Sequence, residues 1–286
     1  MNQDITFGII LPTYNRSSLL ERALLSVINQ SYKNWIVCIV DDGSTDDTTE
    51  MIQTYINDPR VHYILQSENL GVNAARNCAL DYLQNQCNTD YITLLDDDDY
   101  FNTDTLLQAI DYINKIPEQQ WFVSKRVDES GRDITITGQN GLIDYVYYHL
   151  GIGMQGDATH IIKSTLIGEI RFSKQFKQAQ EWIFYLALSA KSKMYYYDFP
   201  STVCSYLDDG LSAGATKGRE KRTLQDIEAQ QLQQKMLKAL GYSHATVETL
   251  KLQDRINKTL QTKKYHKLSR YLPKFLYWKL LQAFNL

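Results

Sequence analysis

The sequence predicts an α/β protein with a mostly parallel, doubly wound sheet and a helical C-terminal extension. The apolar runs in the first hundred residues are continuous rather than alternating, which is typical of strands buried on both faces. Each run is followed by a segment of helical character, and repeated strand–helix units form parallel sheets with right-handed crossovers.

Composition supports this class and excludes several others. The chain has 286 residues, of which 43% are hydrophobic and 22% charged, as in globular proteins that bury a core. We expect no membrane-spanning helix, because no run of 18 apolar residues occurs, and the N-terminus lacks the features of a signal peptide. The scattered cysteines indicate reduced thiols and a cytoplasmic location.

Elements of the first half follow from these runs. Ser18, with Glu21 three residues on, forms a capping-box signature before a helix over residues 19–28. A polar helix should end near residue 56, and another should cover residues 72–83. The predicted strands are residues 7–11, 35–40, 61–65 and 91–95.

The second half is less regular. Strands are predicted at 121–127, 133–137, 159–162 and 194–199, and helices at 143–150 and 181–190. After Gly218 the pattern is helical, with breaks near Gly241 and Pro273. The predicted organisation is a domain over 1–215, with a donor-binding half to about 105 and an acceptor-binding half from about 106, and an extension over 216–286.

Polar clusters follow three of the predicted strands, at residues 13–16, 41–44 and 96–99. Ligands of open parallel sheets bind outside the carboxyl ends of the strands, so we expect one acidic cleft there. Tyr14 either stacks on a base or packs against the protein. Arg76, after the third strand, either pairs with a diphosphate through its planar fork or forms a salt bridge to the aspartates.

Four adjacent aspartates repel each other and indicate a bound cation. In an extended chain Asp96 and Asp98 would point the same way, and two carboxylates suit Mg²⁺ or Mn²⁺. Alternatively, Asp97 to Asp99 cap a helix that starts near Thr103.

Four motifs, in this order and spacing, resemble those of family 2 glycosyltransferases. They are ILPTYNR at residues 10–16, VDDGSTD at 40–46, NLGVNAARN at 69–77 and LDDDD at 95–99. The resemblance is strong over about 5–105 and fades towards 215. It implies a GT-A fold, a nucleotide-diphosphate sugar donor, a divalent metal ion and inversion at the anomeric carbon.

The resemblance also implies roles for individual residues. Asp96 would face the ribose, with Asp97 beside it in the donor site, and Asp98 would hold Mg²⁺ or Mn²⁺. Arg76 would lie near the diphosphate or support Asp98, and Asp99 matches the extra acid that follows the DxD motif in the family. The nucleobase pocket would be lined by Pro12, Thr13, Tyr14 and Asp42.

The catalytic base implied by the resemblance is Glu181, where the family usually has aspartate, preceded by Gln180 in place of glutamate. Alternatively, Glu181 is only a helix N-terminal charge. Asp157 and His160 are weaker acceptor-side candidates. We expect the glycine-rich segment 151–156 to face the acceptor, and the loop 207–212 either to close over the diphosphate or to be a plain surface loop.

Residues 255–286 carry eight Lys or Arg and no Asp or Glu, whereas residues 1–254 carry 22 basic and 33 acidic residues. Such a basic, aromatic segment suits the surface of an anionic membrane, although it could instead pack on the enzyme. The acidic remainder argues against nucleic-acid binding.

The sequence therefore predicts a metal-dependent, inverting glycosyltransferase of the hexosyltransferase class. It would transfer a sugar, most plausibly from a UDP-sugar, to a hydroxyl of a cell-surface glycan or lipid-linked precursor on the inner face of the cytoplasmic membrane. The alternatives are a non-catalytic nucleotide-sugar-binding or scaffold protein and a sugar nucleotidyltransferase. A dehydrogenase has no support in the sequence, because no GxGxxG follows a strand.

Overall fold

The computed structural model describes residues 5–135, 139–176, 180–205 and 224–261, with side chains of the last range described for 228–252. In these ranges nine strands form one sheet, in the order β3-β2-β1-β4-β8-β6-β9-β5, with β7 paired to β9. The strands are β1 (Phe7–Thr13), β2 (Trp35–Asp41), β3 (Val61–Leu65), β4 (Tyr91–Leu94), β5 (Asp99–Phe101), β6 (Trp121–Asp128), β7 (Gly141–Ile143), β8 (Ala158–Lys163) and β9 (Met194–Cys204).

Helices cover both faces of the sheet. They are α1 (Ser17–Ile28), α2 (Thr48–Ile52), α3 (Val72–Asn85), α4 (Thr105–Lys115), α5 (Tyr145–His149), α6 (Ser164–Ile167), α7 (Trp182–Ser189), α8 (Leu224–Ala239) and α9 (His244–Gln261). No helix in the described part of the chain is long and apolar enough to cross a membrane.

The predicted parallel half is confirmed. Strands β3, β2, β1 and β4 are neighbours and run parallel. Their continuous apolar sequences place side chains on both faces: Phe7, Ile9 and Leu11 enter one core, and Ile10 enters the other. One core packs under α1, α2 and α4, and the other under α3, α5 and α7. The carboxyl ends of β1, β2 and β4 therefore meet at one edge.

The second half mixes orientations. Strand β8 is antiparallel to both β4 and β6, whereas β6 is parallel to β9. The sheet thus continues without interruption from the parallel half into the predicted acceptor-binding half. This continuity fixes α7, which follows β8, against the same core as α3.

Several local predictions need correction. The capping box at Ser18 is absent: α1 starts at Ser17, two residues before the predicted helix, Arg16 holds the N-cap position, and the cap has no side-chain hydrogen bond. The polar helix ends at Ile52 rather than near residue 56. The strand predicted at 133–137 reduces, in the described residues, to a single bridge between Val127 and Asp133. Strand β9 runs on to Cys204, past its predicted end at Phe199.

The C-terminal helices pack on the body of the protein. Leu237 of α8 and Val247 of α9 are 5% and 8% exposed, respectively, and belong to the core under α5 and α7. The hydroxyl of Tyr242, between the two helices, donates to Asp144 Oδ2 at 3.4 Å. For residues 228–252 of the extension, the structure therefore shows packing on the enzyme.

Candidate active site

The three polar clusters meet at the edge predicted for them. Thr13 Oγ1, at the end of β1, donates to Asp97 Oδ2 at 2.8 Å. The backbone N–H of Asn15 donates to Ser44 Oγ, also at 2.8 Å, which joins the first cluster to the second. The strand order β2-β1-β4 explains this convergence, because parallel neighbours end on the same side.

The aspartate run forms a turn rather than the extended chain in which Asp96 and Asp98 would point the same way. The N–H of Asp99 donates to the carbonyl of Asp96 at 3.1 Å. Each of the four carboxylates has an arginine partner, and Asp97 and Asp98 share one. The N–O distances are 2.8 Å for Arg76–Asp96, 3.2 Å for Arg16–Asp97 and 3.0 Å for Arg16–Asp98, and the fourth pair is Arg126–Asp99.

Exposure separates the run into two kinds of carboxylate. The side chains of Asp96 and Asp98 are 37% and 22% exposed, whereas those of Asp97 and Asp99 are 9% and 8% exposed. Burial raises the pKa of both Asp97 and Asp99 to about 6. The alternative of helix capping by Asp97 to Asp99 is wrong, because α4 starts only at Thr105.

The pKa values of Asp96 and Asp98 shift in opposite directions. For Asp98, burial and the neighbouring Asp96 charge raise the pKa despite the opposing effect of Arg16. Burial also raises the pKa of Asp96, but the charges of Arg76 and Arg126 outweigh it, so the net shift is downward. Asp96 is thus held as an anion, whereas burial and a neighbouring negative charge disfavour the anionic form of Asp98.

The two aspartates of the second polar cluster, Asp41 and Asp42, hold neighbouring loops in place by accepting backbone hydrogen bonds. Asp41 is fully buried and accepts hydrogen bonds from the Ser44 N–H and the Tyr63 hydroxyl, at 2.7 and 2.6 Å. Asp42 accepts the N–H groups of Leu70 and Gly71, each at 2.8 Å. Asp42 therefore anchors the start of α3, the helix that carries Arg76.

The first cluster presents one free aromatic ring. Tyr14 is 44% exposed, so of the two predicted alternatives the structure shows the ring available for stacking rather than packed. Thr13 is buried against Asp97, and Pro12 is a buried residue of β1 aligned with Val40 of β2.

Arg76 joins the two halves of the cleft. Its guanidinium lies 2.8 Å from Asp96 Oδ1 through NH2 and 2.8 Å from Glu181 Oε1 through NH1. The arginine side chain is only 4% exposed, whereas Glu181 is 39% exposed. Of the predicted alternatives, the structure shows the salt bridge to the aspartate run, and the partner is Asp96 rather than Asp98.

Glu181 lies where α7 begins, at its N-cap position, but its side chain makes no capping hydrogen bond. The carboxylate instead pairs with Arg76, so the alternative of a simple helix N-terminal charge does not describe its contacts. Gln180 adopts a positive φ of 46° and accepts a hydrogen bond from the Trp182 indole. Glu181 thus contacts Arg76, whereas Gln180 contacts the side chain of Trp182 at the start of α7.

Behind Glu181 lies a packed aromatic cluster. His160 stacks on Tyr185 with ring centroids 4.0 Å apart, and its Nδ1 accepts the indole N–H of Trp121 at 3.0 Å. His160 is 7% exposed, whereas Asp157 lies at the surface. Of the two weaker acceptor-side candidates, His160 is mainly a core residue.

We expect two histidines, the half-buried His149 and the buried His160, to lower the stability of the protein as the pH decreases from 6.5 to 4, against the opposite contribution of the buried Asp97 and Asp99. Burial lowers the pKa of His160 to about 3 and that of His149 to about 4, so only the unfolded chain takes up these protons. His160 should cost on the order of 2–4 kcal/mol of unfolding free energy across this range. In urea unfolding at several pH values, His160→Gln should lack this contribution, so its unfolding free energy relative to wild type should rise by that amount from pH 6.5 to 4.

The matched control is His244→Gln, at an exposed position of α9, which should keep the wild-type pH dependence. An unchanged slope in His160→Gln would contradict a neutral, buried imidazole.

Two arginines of the site carried no predicted role. Arg16 is the last residue of the first motif but was given no function there. Arg126 belongs to none of the four motifs. A signal existed for Arg126: with Lys125 it places two cations inside an otherwise apolar strand, which indicates buried partners. Its partner Asp99 also accepts the N–H of Ser205, which ties β9 to the aspartate turn.

Some predictions fall on residues that the structure does not describe. The loop 207–212, the boundary near 215, the break at Pro273 and residues 262–286 of the basic segment lie outside the described ranges. Within those ranges no group of three or more His, Cys, Asp or Glu could hold a metal ion. A metal at Asp98 would therefore need ligands from a bound molecule and water.

A parallel sheet with carboxylates and arginines at its strand ends, faced by a further carboxylate, is typical of α/β enzymes that act on nucleotide ligands. The chain belongs to glycosyl transferase family 2, whose model matches residues 8–169, more than half of the 286 residues. The predicted family is therefore confirmed, and with it the glycosyltransferase class.

Two relatives illustrate the range of the family. The putative teichuronic acid biosynthesis glycosyltransferase TuaG of Bacillus subtilis is 37% identical over 107 residues, covering 37% of this chain and 41% of the relative. The GalNAc(5)-diNAcBac-PP-undecaprenol beta-1,3-glucosyltransferase of Campylobacter jejuni is 28% identical over 225 residues, covering 73% and 68%. The chain spans about two fifths of the length of the curated relatives that it matches at about 40% identity.

Solved structures confirm the GT-A fold. Residues 1–349 of S. aureus TarS, in complex with UDP-GlcNAc, match with a TM-score of 0.71 at 18% identity, covering 94% of this chain and 77% of that one. The mannosyltransferase PcManGT of Pyrobaculum calidifontis, in complex with GDP-Man and Mn²⁺, matches with a TM-score of 0.52 at 18% identity, covering 97% and 84%.

Proposed function

We propose that the protein transfers a sugar, with inversion, from a UDP-sugar to a hydroxyl of a cell-surface glycan or lipid-linked precursor. The observation that carries this proposal is the Asp96–Arg76–Glu181 chain of contacts. These contacts join a solvent-accessible carboxylate, Glu181, to the same guanidinium as Asp96 of the aspartate run. A donor sugar bound over these residues would have a candidate base beside it for the acceptor hydroxyl.

The donor would bind along the carboxyl ends of β1, β2 and β4. Tyr14 has an exposed ring for stacking on the nucleobase, and Asp96 an exposed carboxylate for the ribose hydroxyls. Asp42 and Asp97 are buried against protein donors, so they would shape this pocket mainly from beneath. Pro12 and Thr13 complete its floor.

The residues present fit a divalent ion of the Mg²⁺ or Mn²⁺ type at Asp98. Its Oδ2 lies 3.0 Å from the Arg16 guanidinium, the side chain retains 22% exposure, and burial together with the charge of Asp96 raises its pKa. When bound with the donor, such an ion would neutralise charge on the diphosphate. Asp96 and Asp98 are the more exposed of the four aspartates, and Asp96 is already paired with the buried Arg76, so we assign Asp98 as the ligand.

In the proposed reaction, this chain supplies the base that takes the proton of the acceptor hydroxyl. The acceptor oxygen attacks the anomeric carbon while Glu181 removes the hydroxyl proton. The bond from that carbon to the β-phosphate oxygen breaks, and its electron pair leaves with the nucleoside diphosphate. Attack from the face opposite the leaving group inverts the configuration. Glu181 is then a neutral acid and returns its proton to solvent.

The acceptor class is supported by the relatives, whose names refer to teichuronic acid and to an undecaprenol-linked glycan. Such acceptors are anionic or membrane-bound. Residues 255–286, with eight basic and no acidic residues, would suit the inner surface of the cytoplasmic membrane. We therefore propose a cytoplasmic enzyme that works at that surface.

A donor-binding screen tests the proposal. We expect a UDP-sugar, with Mn²⁺, to raise the melting temperature in a dose-dependent way, because a ligand of the folded state stabilises it by mass action. GDP- and dTDP-sugars should do so less. Asp98→Ala should abolish the metal-dependent part of the rise in melting temperature. Asp111→Ala, in α4, should keep it.

Absence of any shift, at concentrations well above ordinary KM values, would overturn the donor assignment. A metal-dependent shift without transfer or donor hydrolysis would instead favour a non-catalytic nucleotide-sugar-binding protein. The Gln180–Glu181 sequence, where the family usually has Glu–Asp, keeps this second candidate open.

A further inference from the structure

The contact between Arg76 and Glu181 has two fixed ends. Arg76 is 4% exposed on α3, and its guanidinium lies 5.7 Å from the ring centroid of Phe172. Its Nε is buried without a hydrogen-bond partner in the described part of the chain, so the two carboxylates account for its ion pairs there. Such a guanidinium cannot move freely, because any shift would strand a buried charge.

The backbone of Glu181 is also fixed. The Tyr185 N–H donates to the Glu181 carbonyl at 3.2 Å, closing the first turn of α7. The side chains of Phe184, Tyr185 and Leu186 are buried, which anchors the helix in the core. The distance between the α3 and α7 backbones is therefore set by packing, and the length of the side chain at 181 determines whether its carboxylate reaches Arg76.

We propose that Arg76 is the positioning residue of the catalytic base, and that glutamate at 181 is required because only its length spans the gap to Arg76. The inference rests on the proposed function. One guanidinium holds Asp96, on the donor side, and Glu181, on the acceptor side, as a single unit. The base is thereby held at a set position relative to the donor, which is what a proton transfer in the transition state needs.

The decisive variant is Glu181→Asp, which keeps the carboxylate but withdraws it by about 1.5 Å, one carbon–carbon bond. The 2.8 Å contact with Arg76 would be lost, and a misplacement of about 1 Å can cost roughly 100-fold in rate. We expect kcat to fall about 10- to 100-fold. The dissociation constant for UDP, measured by titration calorimetry, should stay within about twofold, because Asp96 keeps its arginine.

A second variant, Arg76→Lys, offers a single nitrogen where the guanidinium uses two, so it cannot hold both carboxylates. We expect a similar loss in kcat. In the double variant Glu181→Asp with Arg76→Lys, the two losses should not multiply, because both remove the same contact. Glu118→Asp, at an exposed site after α4, is the matched control and should keep the wild-type kcat.

The outcomes separate this inference from the proposed function. Wild-type kcat in Glu181→Asp would overturn the positioning role, as would losses in the two variants that multiply in the double variant. Full transfer activity in Glu181→Gln would overturn the base itself. Melting curves establish that each variant is folded, and Glu181→Asp, at a 39% exposed side chain, is expected to fold.

Discussion

Replacing Glu181 with glutamine is expected to lower kcat by about 100- to 10,000-fold, the usual contribution of a general base. Glutamine matches glutamate in size, and its amide oxygen can still accept a hydrogen bond from Arg76, which lies 2.8 Å from the carboxylate. The position of the side chain is therefore kept while its ability to take a proton is lost. The measurement is release of the nucleoside diphosphate under single-turnover conditions.

Donor affinity provides the internal control for this variant. Glu181 pairs with Arg76 rather than with the aspartates proposed to bind the donor, so the dissociation constant for UDP should change by less than about threefold. Glu118→Gln should leave both quantities at wild-type values. A kcat above one tenth of the wild-type value would show that another group takes the proton, and the exposed carboxylate of Asp157 would be tested next.

Replacing Arg126 with methionine is expected to destabilise the protein by about 3–5 kcal/mol at pH 7, the usual cost of leaving one partner of a buried ion pair alone. The side chains of Arg126 and Asp99 are 15% and 8% exposed. Burial already raises the pKa of Asp99 to about 6 with the arginine present, and its loss would raise that pKa further. Urea unfolding measures the change.

The pH dependence of this loss has a definite sign. A carboxyl whose pKa is raised by folding binds its proton more tightly in the folded state, so stability falls as the pH rises above its unfolded value of about 3.8. The destabilisation by Arg126→Met should therefore be smaller at pH 5 than at pH 7. Adding Asp99→Asn should recover much of it.

The neighbouring cation supplies the matched control. Lys125 precedes Arg126 in β6, but its partners Asp133 and Asp198 are 54% and 60% exposed. Lys125→Met should thus cost about 1 kcal/mol or less, as surface ion pairs do. Equal losses from Lys125→Met and Arg126→Met would contradict the assignment of Asp99–Arg126 as the buried pair.

The parallel half was predictable because its signals are local. Continuous apolar runs give strands buried on both faces, and the polar residues that end them must meet at one edge once the strands are parallel neighbours. Strand β3, at Val61–Leu65, was predicted with its observed bounds. The convergence of Thr13 on the aspartate run followed without any knowledge of side-chain contacts.

The interior of the site was less predictable because its contacts are long-range. The hydrogen bond from Asp99 to Asp96 turns the run, and it is invisible in a pattern of four identical residues. The arginines that neutralise these carboxylates come from α3, β6 and the start of α1, which only tertiary structure brings together. Likewise, β5 and β7 have three residues each, too few for any periodicity to show.

The docking of α8 and α9 on the body has a consequence for handling the protein. Leu237 and Val247 belong to the same buried apolar cluster as Tyr145 and Phe184. A chain shortened after β9 would expose apolar side chains of this cluster to water, although it would retain every residue proposed for the donor site. Apolar surface of this kind promotes self-association, so such a shortened chain should be prone to precipitate in solution.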